Sequence, residues 1–267
     1  MSAATMRSGT APFLPMLAKQ SQAEFIKMFR VPAFSVTSIA LPAMFYAFIG
    51  LGQAKQPFAH GSSVTSGEYF LASMAMYGVA NVMVLGFGIS VANERGQKQD
   101  LLMQSTPLPP IVFFIAKTIS ALVIALMALV VLSLLAYFAG GANLTVSQWL
   151  TLFLRAMLCS IPFVGLGFGL GYIAGPTSAP AVTNLIYLPT AFASGLFFPL
   201  RLLPPLLQYI APYLPLYRGG QLLWDSVGAP TQGGSITTDW LWMGGYAIAF
   251  FALAIWAYRR DQGRKFN

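Results

Sequence analysis

Few residue types in this chain could carry out acid–base, nucleophilic or metal chemistry. Its 267 residues include one histidine (His60), one cysteine (Cys159) and seven acidic residues. A single histidine excludes the His-Glu-x-x-His zinc motif and argues against a serine–histidine catalytic site. No Gly-Lys pair occurs, which excludes a Walker A phosphate loop. We therefore predict no catalytic residue, no metal site and no bound cofactor on this chain.

The positions of the acidic residues also argue against catalysis or proton coupling within the membrane. All seven lie outside the centres of the long apolar segments. Proton-coupled transporters and intramembrane aspartyl proteases usually need a carboxylate there. Cys159 lies within an apolar run, where a buried, inert thiol is expected. These absences favour a chain that moves a substrate with energy supplied elsewhere.

One internal segment, residues 93–110, concentrates charge between two apolar runs. The run 100–105 has the pattern of a short amphipathic helix, and prolines at 107, 109 and 110 prevent its continuation. A short helix held between two membrane-spanning helices is a plausible contact surface for another protein. The alternative is a solvated helix end whose charges only fix topology.

The composition is that of a polytopic membrane protein. Hydrophobic residues make up 57% of the chain and charged residues 8%, with a mean hydropathy of +0.68. A typical soluble domain has about 25% charged residues. The net charge of +8 comes from basic residues beside apolar runs, which favours topology over nucleic-acid binding. We predict an all-α integral membrane fold and no nucleic-acid partner.

Residues 1–267 are predicted to form a single transmembrane domain. Residues 1–15 are expected to be a loose start. Residues 19–30 mix basic and apolar side chains, which suits a helix lying in the membrane interface or a charged flank of the first span. The apolar segment 199–227 is broken by prolines, which favours re-entrant helices over a further span. A helix of about 20 residues crosses the hydrocarbon core, and the six predicted spans are about 34–52, 69–91, 111–138, 149–173, 182–198 and 240–258.

Two features of the spans have specific consequences. Arginine 155 lies a turn or more inside the fourth span, where a charge needs a partner or must reach the headgroups. Headgroup contact is the preferred interpretation for Arg155, Arg201 and Arg218, over contact with an anionic substrate. Alternate glycines in the same span make two flat faces for close helix packing, and these glycines are Gly165, Gly167, Gly169 and Gly171.

The distribution of basic residues predicts the orientation. With six spans, both termini share one side, and that side carries 11 of the 15 basic residues. Cytoplasmic loops carry the excess of Lys and Arg. Both termini and the segment 93–110 are therefore expected in the cytoplasm, with the chain in a bacterial cytoplasmic (inner) membrane.

Three regions resemble the transmembrane subunits of ABC-2 type permeases, six-span exporters driven by a separate ATP-binding subunit. Residues 24–50 are similar to the interfacial helix and first span of that family. Residues 94–108 resemble its cytoplasmic coupling segment, although Gly96 and Lys98 depart from the usual pattern. Residues 184–216 resemble its closing signature, including paired re-entrant helices before the last span.

The resemblance implies partners and roles. Two ATP-binding subunits would bind ATP and magnesium, and a second permease copy or a paralogue would complete a dimer in the lipid bilayer. The resemblance assigns coupling to the ATPase to Lys27, Arg30, Glu94, Arg95, Leu101, Leu102, Thr106, Pro107 and Leu108. It assigns a re-entrant or outer-gate position to Asn184, Pro189, Gly195, Pro199, Arg201 and Pro215.

The implied function is outward transport of a hydrophobic or amphipathic substrate, as in the multidrug, daunorubicin-resistance-type branch. Short outer loops do not distinguish this from export of a lipid-linked polysaccharide. A non-transporting membrane scaffold is the alternative from a different class. A rigid cytoplasmic segment argues against the scaffold, which has no need of one.

Overall fold

The structure is a computed structural model that describes residues 13–58, 62–97, 109–231 and 234–265. Within these ranges the chain is helical, and its only β pairing is an isolated bridge between Pro57 and Thr65. This confirms the predicted all-α membrane fold. The α-helices are α1 (Phe13–Phe29), α2 (Pro32–Phe45), α3 (Ser66–Gly96), α4 (Pro110–Phe138), α5 (Val146–Ile173), α6 (Ala179–Ala193), α7 (Pro205–Ile210), α8 (Pro215–Ser226) and α9 (Ile236–Lys265).

Helix α3 is the centre of the fold and is buried along most of its length. It begins with a capping box, in which Thr65 and Glu68 satisfy each other's backbone N–H groups. Small residues then let neighbouring helices approach closely: a Cβ on Gly78 would lie 2.9 Å from Pro42 of α2. Helices α2, α4, α5, α6 and α8 all pack on α3.

The alternate glycines of α5 lie against two different helices. A Cβ on Gly165 would be 2.8 Å from the backbone of Phe250 in α9, and a Cβ on Gly169 would be 3.2 Å from Leu253. Gly167 and Gly171 instead face α3, where a Cβ on Gly171 would lie 2.8 Å from Val91. Alternate positions on a helix point about 200° apart, which places α5 between α3 and α9.

Among the residues that the structure describes, five helical segments are long and apolar enough to cross a membrane. They are Phe34–Gln53, Ser66–Gly96, Ile111–Phe138, Val146–Ile173 and Ile236–Gly263. The first continues from α2 through a π-helical turn (Tyr46–Gly50) and a 3₁₀ turn (Leu51–Gln53). The fifth predicted span, about 182–198, overlaps α6, whose 15 residues rise only about 22 Å against a hydrocarbon core of about 30 Å.

The helix boundaries differ from the predicted ones at several places. Helix α1 begins at Phe13, inside the stretch expected to be a loose start, because residues 13–29 pack on α4. Helix α3 extends to Gly96, and α6 ends at Ala193 before Gly195, whose φ of 76° favours glycine. After Pro199 the chain forms 3₁₀ turns and the short helices α7 and α8, and α8 is deeply buried.

Candidate functional site

Buried charges join three helices near the end of α3. The Lys117 ammonium is completely buried, and it donates to Glu24 Oε2 at 3.0 Å and to Glu94 Oε1 at 2.7 Å. It also donates to Ser90 Oγ at 3.0 Å. Glu94 forms a second ion pair with Lys27, whose side chain is partly exposed. Two carboxylates and two ammonium groups therefore neutralise each other where isolated charges would be strongly disfavoured.

Helix geometry explains how these residues meet. Ser90 and Glu94 are four residues apart on α3 and share one face. Glu24 and Lys27 are three apart on α1, so they also share a face. Lys117 lies two turns inside α4 and reaches both helices. The ion pairs thus fix α1 to α3 and α4, although its own sequence is only weakly apolar.

The next residue along the chain, Arg95, connects α3 to two other helices. Its Nη1 donates to the carbonyl oxygens of Gly171 at 2.9 Å and Tyr172 at 2.8 Å, at the end of α5. These are among the last carbonyls of a helix, which lack partners inside it and carry the negative end of its dipole. Its Nη2 forms an ion pair with Asp261 of α9. The consecutive residues Glu94 and Arg95 therefore bind different helices of the bundle, α1 and α4 for Glu94 and α5 and α9 for Arg95.

We call this set the charge junction; its members are Glu24, Lys27, Ser90, Glu94, Arg95, Lys117 and Asp261. It ties the last turn of α3 to α1, α4, α5 and α9, immediately before residues 98–108. Five of the predicted ATPase-coupling residues lie outside the described residues: Leu101, Leu102, Thr106, Pro107 and Leu108. Arg30 is exposed at the end of α1. The Glu94 side chain is buried and points into the protein, and the Arg95 side chain is partly exposed.

A cavity of about 660 Å³ lies between α1, α2, α3 and α6. Along α2 it extends from Val31 to Phe45, about 20 Å at the rise of a helix. Its walls are mainly apolar and aromatic, with isolated polar groups such as Asn81. The end of the cavity beside the last turn of α3 is polar and includes Lys27 and Glu94 of the charge junction. Such a volume and lining suit a mainly apolar ligand with a few polar groups.

Comparison with known proteins decides the family. The model of the ABC-2 type transporter family matches residues 20–226. This chain belongs to that family. YvfS, a candidate transport permease of Bacillus subtilis (strain 168), is 27% identical over 219 residues, which cover 81% of this chain and 88% of YvfS. The resemblance predicted from three sequence regions is therefore confirmed, and the chain is a multi-pass membrane component of a transporter.

The charge junction and the cavity of this ABC-2 permease both lie within the matched residues, apart from Asp261.

Of the predicted outer-gate residues, Asn184 lies on the exposed side of α6 and donates to the Pro180 carbonyl at 2.9 Å. Pro189 is within α6, Gly195 forms the turn after it, and Pro199 precedes a 3₁₀ turn. The exposed Arg201 lies over the Phe58 ring, and Pro215 is the first residue of α8.

Two arginines of the permease find carboxylate partners inside the protein. Arg218 is buried and donates to Asp239 Oδ1 at 2.8 Å, joining α8 to α9. Arg155 donates to Asp225 Oδ2 at 2.6 Å, joining α5 to α8. The preferred interpretation that both arginines reach the lipid headgroups is therefore wrong, since an internal carboxylate neutralises each charge at lower cost.

Sequence reasoning missed four members of the charge junction: Glu24, Ser90, Lys117 and Asp261. None of the four was assigned a role, because no local spacing connects the charged ones to each other. Lys117 is 93 residues from Glu24, and Arg95 is 166 from Asp261. The signal that was available is the depth of Lys117, which follows six apolar residues of α4 and precedes a long apolar run.

Proposed function

We propose that this permease is the transmembrane subunit of an ATP-driven exporter whose energy comes from a separate ATPase. The observation that carries the proposal is the charge junction: residues 94 and 95, at the start of the predicted coupling segment, tie four helices to the end of α3. ATP and magnesium would bind the ATPase, and this chain would contribute no nucleotide site.

The junction supplies a route for mechanical work. Closure of the ATPase subunits would push on residues 97–108 and on α1. Because α1 is ion-paired to α3 and α4, its movement would carry both helices with it. Arg95 would transmit the same movement to α5 and α9. The result is a tilt between two packed states, whose free-energy difference is supplied by the ATPase.

Under this proposal Glu94 and Arg95 position the coupling segment from inside the permease. Direct contact with the ATPase would fall to the exposed Arg30, to Lys27, and to the predicted contact residues Leu101, Leu102, Thr106, Pro107 and Leu108. This division follows from burial, because the Glu94 side chain is only 8% exposed and its Oε1 already pairs with Lys27 and Lys117.

The cavity between α1, α2, α3 and α6 supports a hydrophobic or amphipathic substrate. Its apolar walls suit a drug-like or lipid-like body, and its polar end beside Lys27 and Glu94 suits a polar group. This favours the multidrug branch over export of a lipid-linked polysaccharide, whose glycan needs a larger hydrated path.

We further propose that two copies, or one copy and a paralogue, assemble with two ATPase subunits in a bacterial cytoplasmic membrane. Both termini would be cytoplasmic, with α6 and the turn after it serving as a shortened fifth crossing. The excess of basic residues on the terminal side supports this orientation.

A mild-detergent pull-down of the tagged chain from its native host tests the proposal. We expect a Walker A protein of the size of an ABC ATPase to co-purify, with ATPase activity that is lost when residues 94–106 are scrambled. Absence of such a partner from a folded, membrane-inserted chain would favour the non-transporting scaffold.

A transport assay then separates the substrate classes. Proteoliposomes holding the permease and its ATPase should move a fluorescent amphipathic dye, and Leu85→Trp, which fills the cavity, should reduce that transport about tenfold. Movement of a lipid-linked glycan with no response to Leu85→Trp would favour the polysaccharide exporter.

A further inference from the structure

A second apolar groove lies on the surface formed by α4, α5 and α9. Its volume is about 430 Å³, and it shares no lining residue with the cavity between α1, α2, α3 and α6. Its walls include Ile119 and Leu122 of α4 and Ile161 of α5. None of its lining residues is charged. Ile119 and Ile161 are 37% and 42% exposed, so the groove opens to the surroundings of the helices.

The length of the groove matches one leaflet of a bilayer. It extends from Ile111 to Leu122 along α4 and from Ile161 to Tyr172 along α5. Each stretch rises about 16 Å, which is about half of the 30 Å hydrocarbon core. The groove begins where α4 begins and α5 ends, so it occupies the leaflet on the side of the C-terminal tail.

Basic residues lie beside this end of the groove. Ile255 lines both the groove and an adjoining surface depression that contains Trp256, Arg259 and Arg260. The Arg260 guanidinium lies 5.3 Å from the Trp256 ring centroid, an arrangement suited to the membrane interface. In the part of the chain that the structure describes, neither arginine forms an ion pair with a carboxylate. Their positive charge is available to an anion.

We propose that this groove binds an anionic phospholipid, with one acyl chain between α4, α5 and α9 and the phosphate at Arg259 and Arg260. Charge complementarity selects an anionic lipid, because the groove itself contributes no charge and the adjoining depression contributes two positive ones. The depth of one leaflet selects a lipid over a soluble anion. A lipid held here would bind α4, α5 and α9 together, beside Tyr172 and Tyr258. This inference does not depend on the transported substrate.

Native mass spectrometry of the full chain tests the proposal. The protein is reconstituted in nanodiscs that contain equal amounts of phosphatidylglycerol and phosphatidylethanolamine with identical acyl chains, and then released. We expect retention of phosphatidylglycerol over phosphatidylethanolamine. Each basic residue near an anionic headgroup contributes about fivefold in binding, so Arg259→Gln/Arg260→Gln should reduce retention about 25-fold.

Two matched comparisons separate this site from general attraction of anionic lipid. Lys19→Gln/Arg30→Gln removes the same charge from exposed positions on α1 and directly after it, and should reduce retention much less than the α9 pair. Ile119→Trp fills the groove and should abolish retention, while Leu126→Trp, an exposed residue two turns further along α4 and outside the groove, should not. Equal retention of both lipids by the wild type, or equal losses in the α1 and α9 variants, would overturn the proposal.

A second copy of the chain is the competing occupant. Ile119→Cys in a Cys159→Ser background should remain monomeric under oxidising crosslinking in membranes if lipid fills the groove. Efficient disulfide-linked dimers through position 119 would show that a protein covers this face and would overturn the lipid assignment.

Discussion

Lys117→Met should destabilise the permease more than any other removal of a lysine charge. The substitution keeps the length of the side chain and its apolar stem but removes an ammonium group that is fully buried. Glu24 then loses its ion-pair partner and retains only a weak contact from Gln20 at 3.3 Å. Glu94 keeps Lys27 and Ser90.

The expected magnitude follows from the burial of these groups. Removing one partner of a buried ion pair costs about 3–5 kcal/mol, because the remaining charge stays desolvated. For a chain of this size each kcal/mol lowers the unfolding midpoint by about 2–4 °C. We therefore expect a decrease of about 6–20 °C. Adding Glu24→Gln removes the orphaned carboxylate and should restore at least about 1 kcal/mol of this loss.

Thermal unfolding in mild detergent at a fixed scan rate measures the effect. Lys19→Met is the matched control: it removes an exposed lysine of α1 and should change the free energy of unfolding by less than about 0.5 kcal/mol. Equal midpoints for the Lys117 and Lys19 variants would refute the buried charge junction. The same conclusion would follow if Glu24→Gln added its own loss to that of Lys117→Met instead of restoring stability.

Three further predictions test packing and the outer ion pairs. Gly165→Leu should prevent folded insertion, because its Cβ would lie 2.8 Å from the α9 backbone, while Gly245→Leu, in open space, should fold normally; size-exclusion profiles compare them. Asp239→Asn should cost about 3–5 kcal/mol by orphaning a buried arginine, whereas Asp225→Asn, whose side chain is 33% exposed, should cost about 1 kcal/mol or less in the same unfolding assay. Arg95→Gln should leave substrate-independent ATPase activity of the complex intact but lower coupled transport at least tenfold; unchanged transport per ATP would contradict the proposed role of Arg95.

The helical membrane fold and its family were predictable because both depend on local pattern. Apolar runs of membrane length identify the helices, and the Gly-x-Gly spacing in α5 predicts two packing faces without any knowledge of their neighbours. Boundaries were less predictable: α3 extends to Gly96 because polar residues at its end are neutralised by other helices, and α1 begins early because it packs on α4.

The partners of the charges were beyond sequence reasoning. Glu94 and Arg95 were expected to serve a binding partner, yet their side chains bind helices of their own chain. Arg155 and Arg218 were expected to reach lipid headgroups, yet each is paired inside. A charge flanking a span has the same local pattern whether it faces solvent, lipid or another helix, so only the helix positions distinguish these cases.

The sequence alone determined that this protein is an all-helical membrane permease of the ABC-2 family, because hydropathy and short motifs are properties of contiguous residues. Tertiary structure alone decided that consecutive residues at the end of α3 bind different pairs of helices, and that a cavity lies beside them. The physical reason is desolvation. A buried charge must be neutralised by whichever opposite charge the packing brings near, and here those charges lie as many as 166 positions away along the chain.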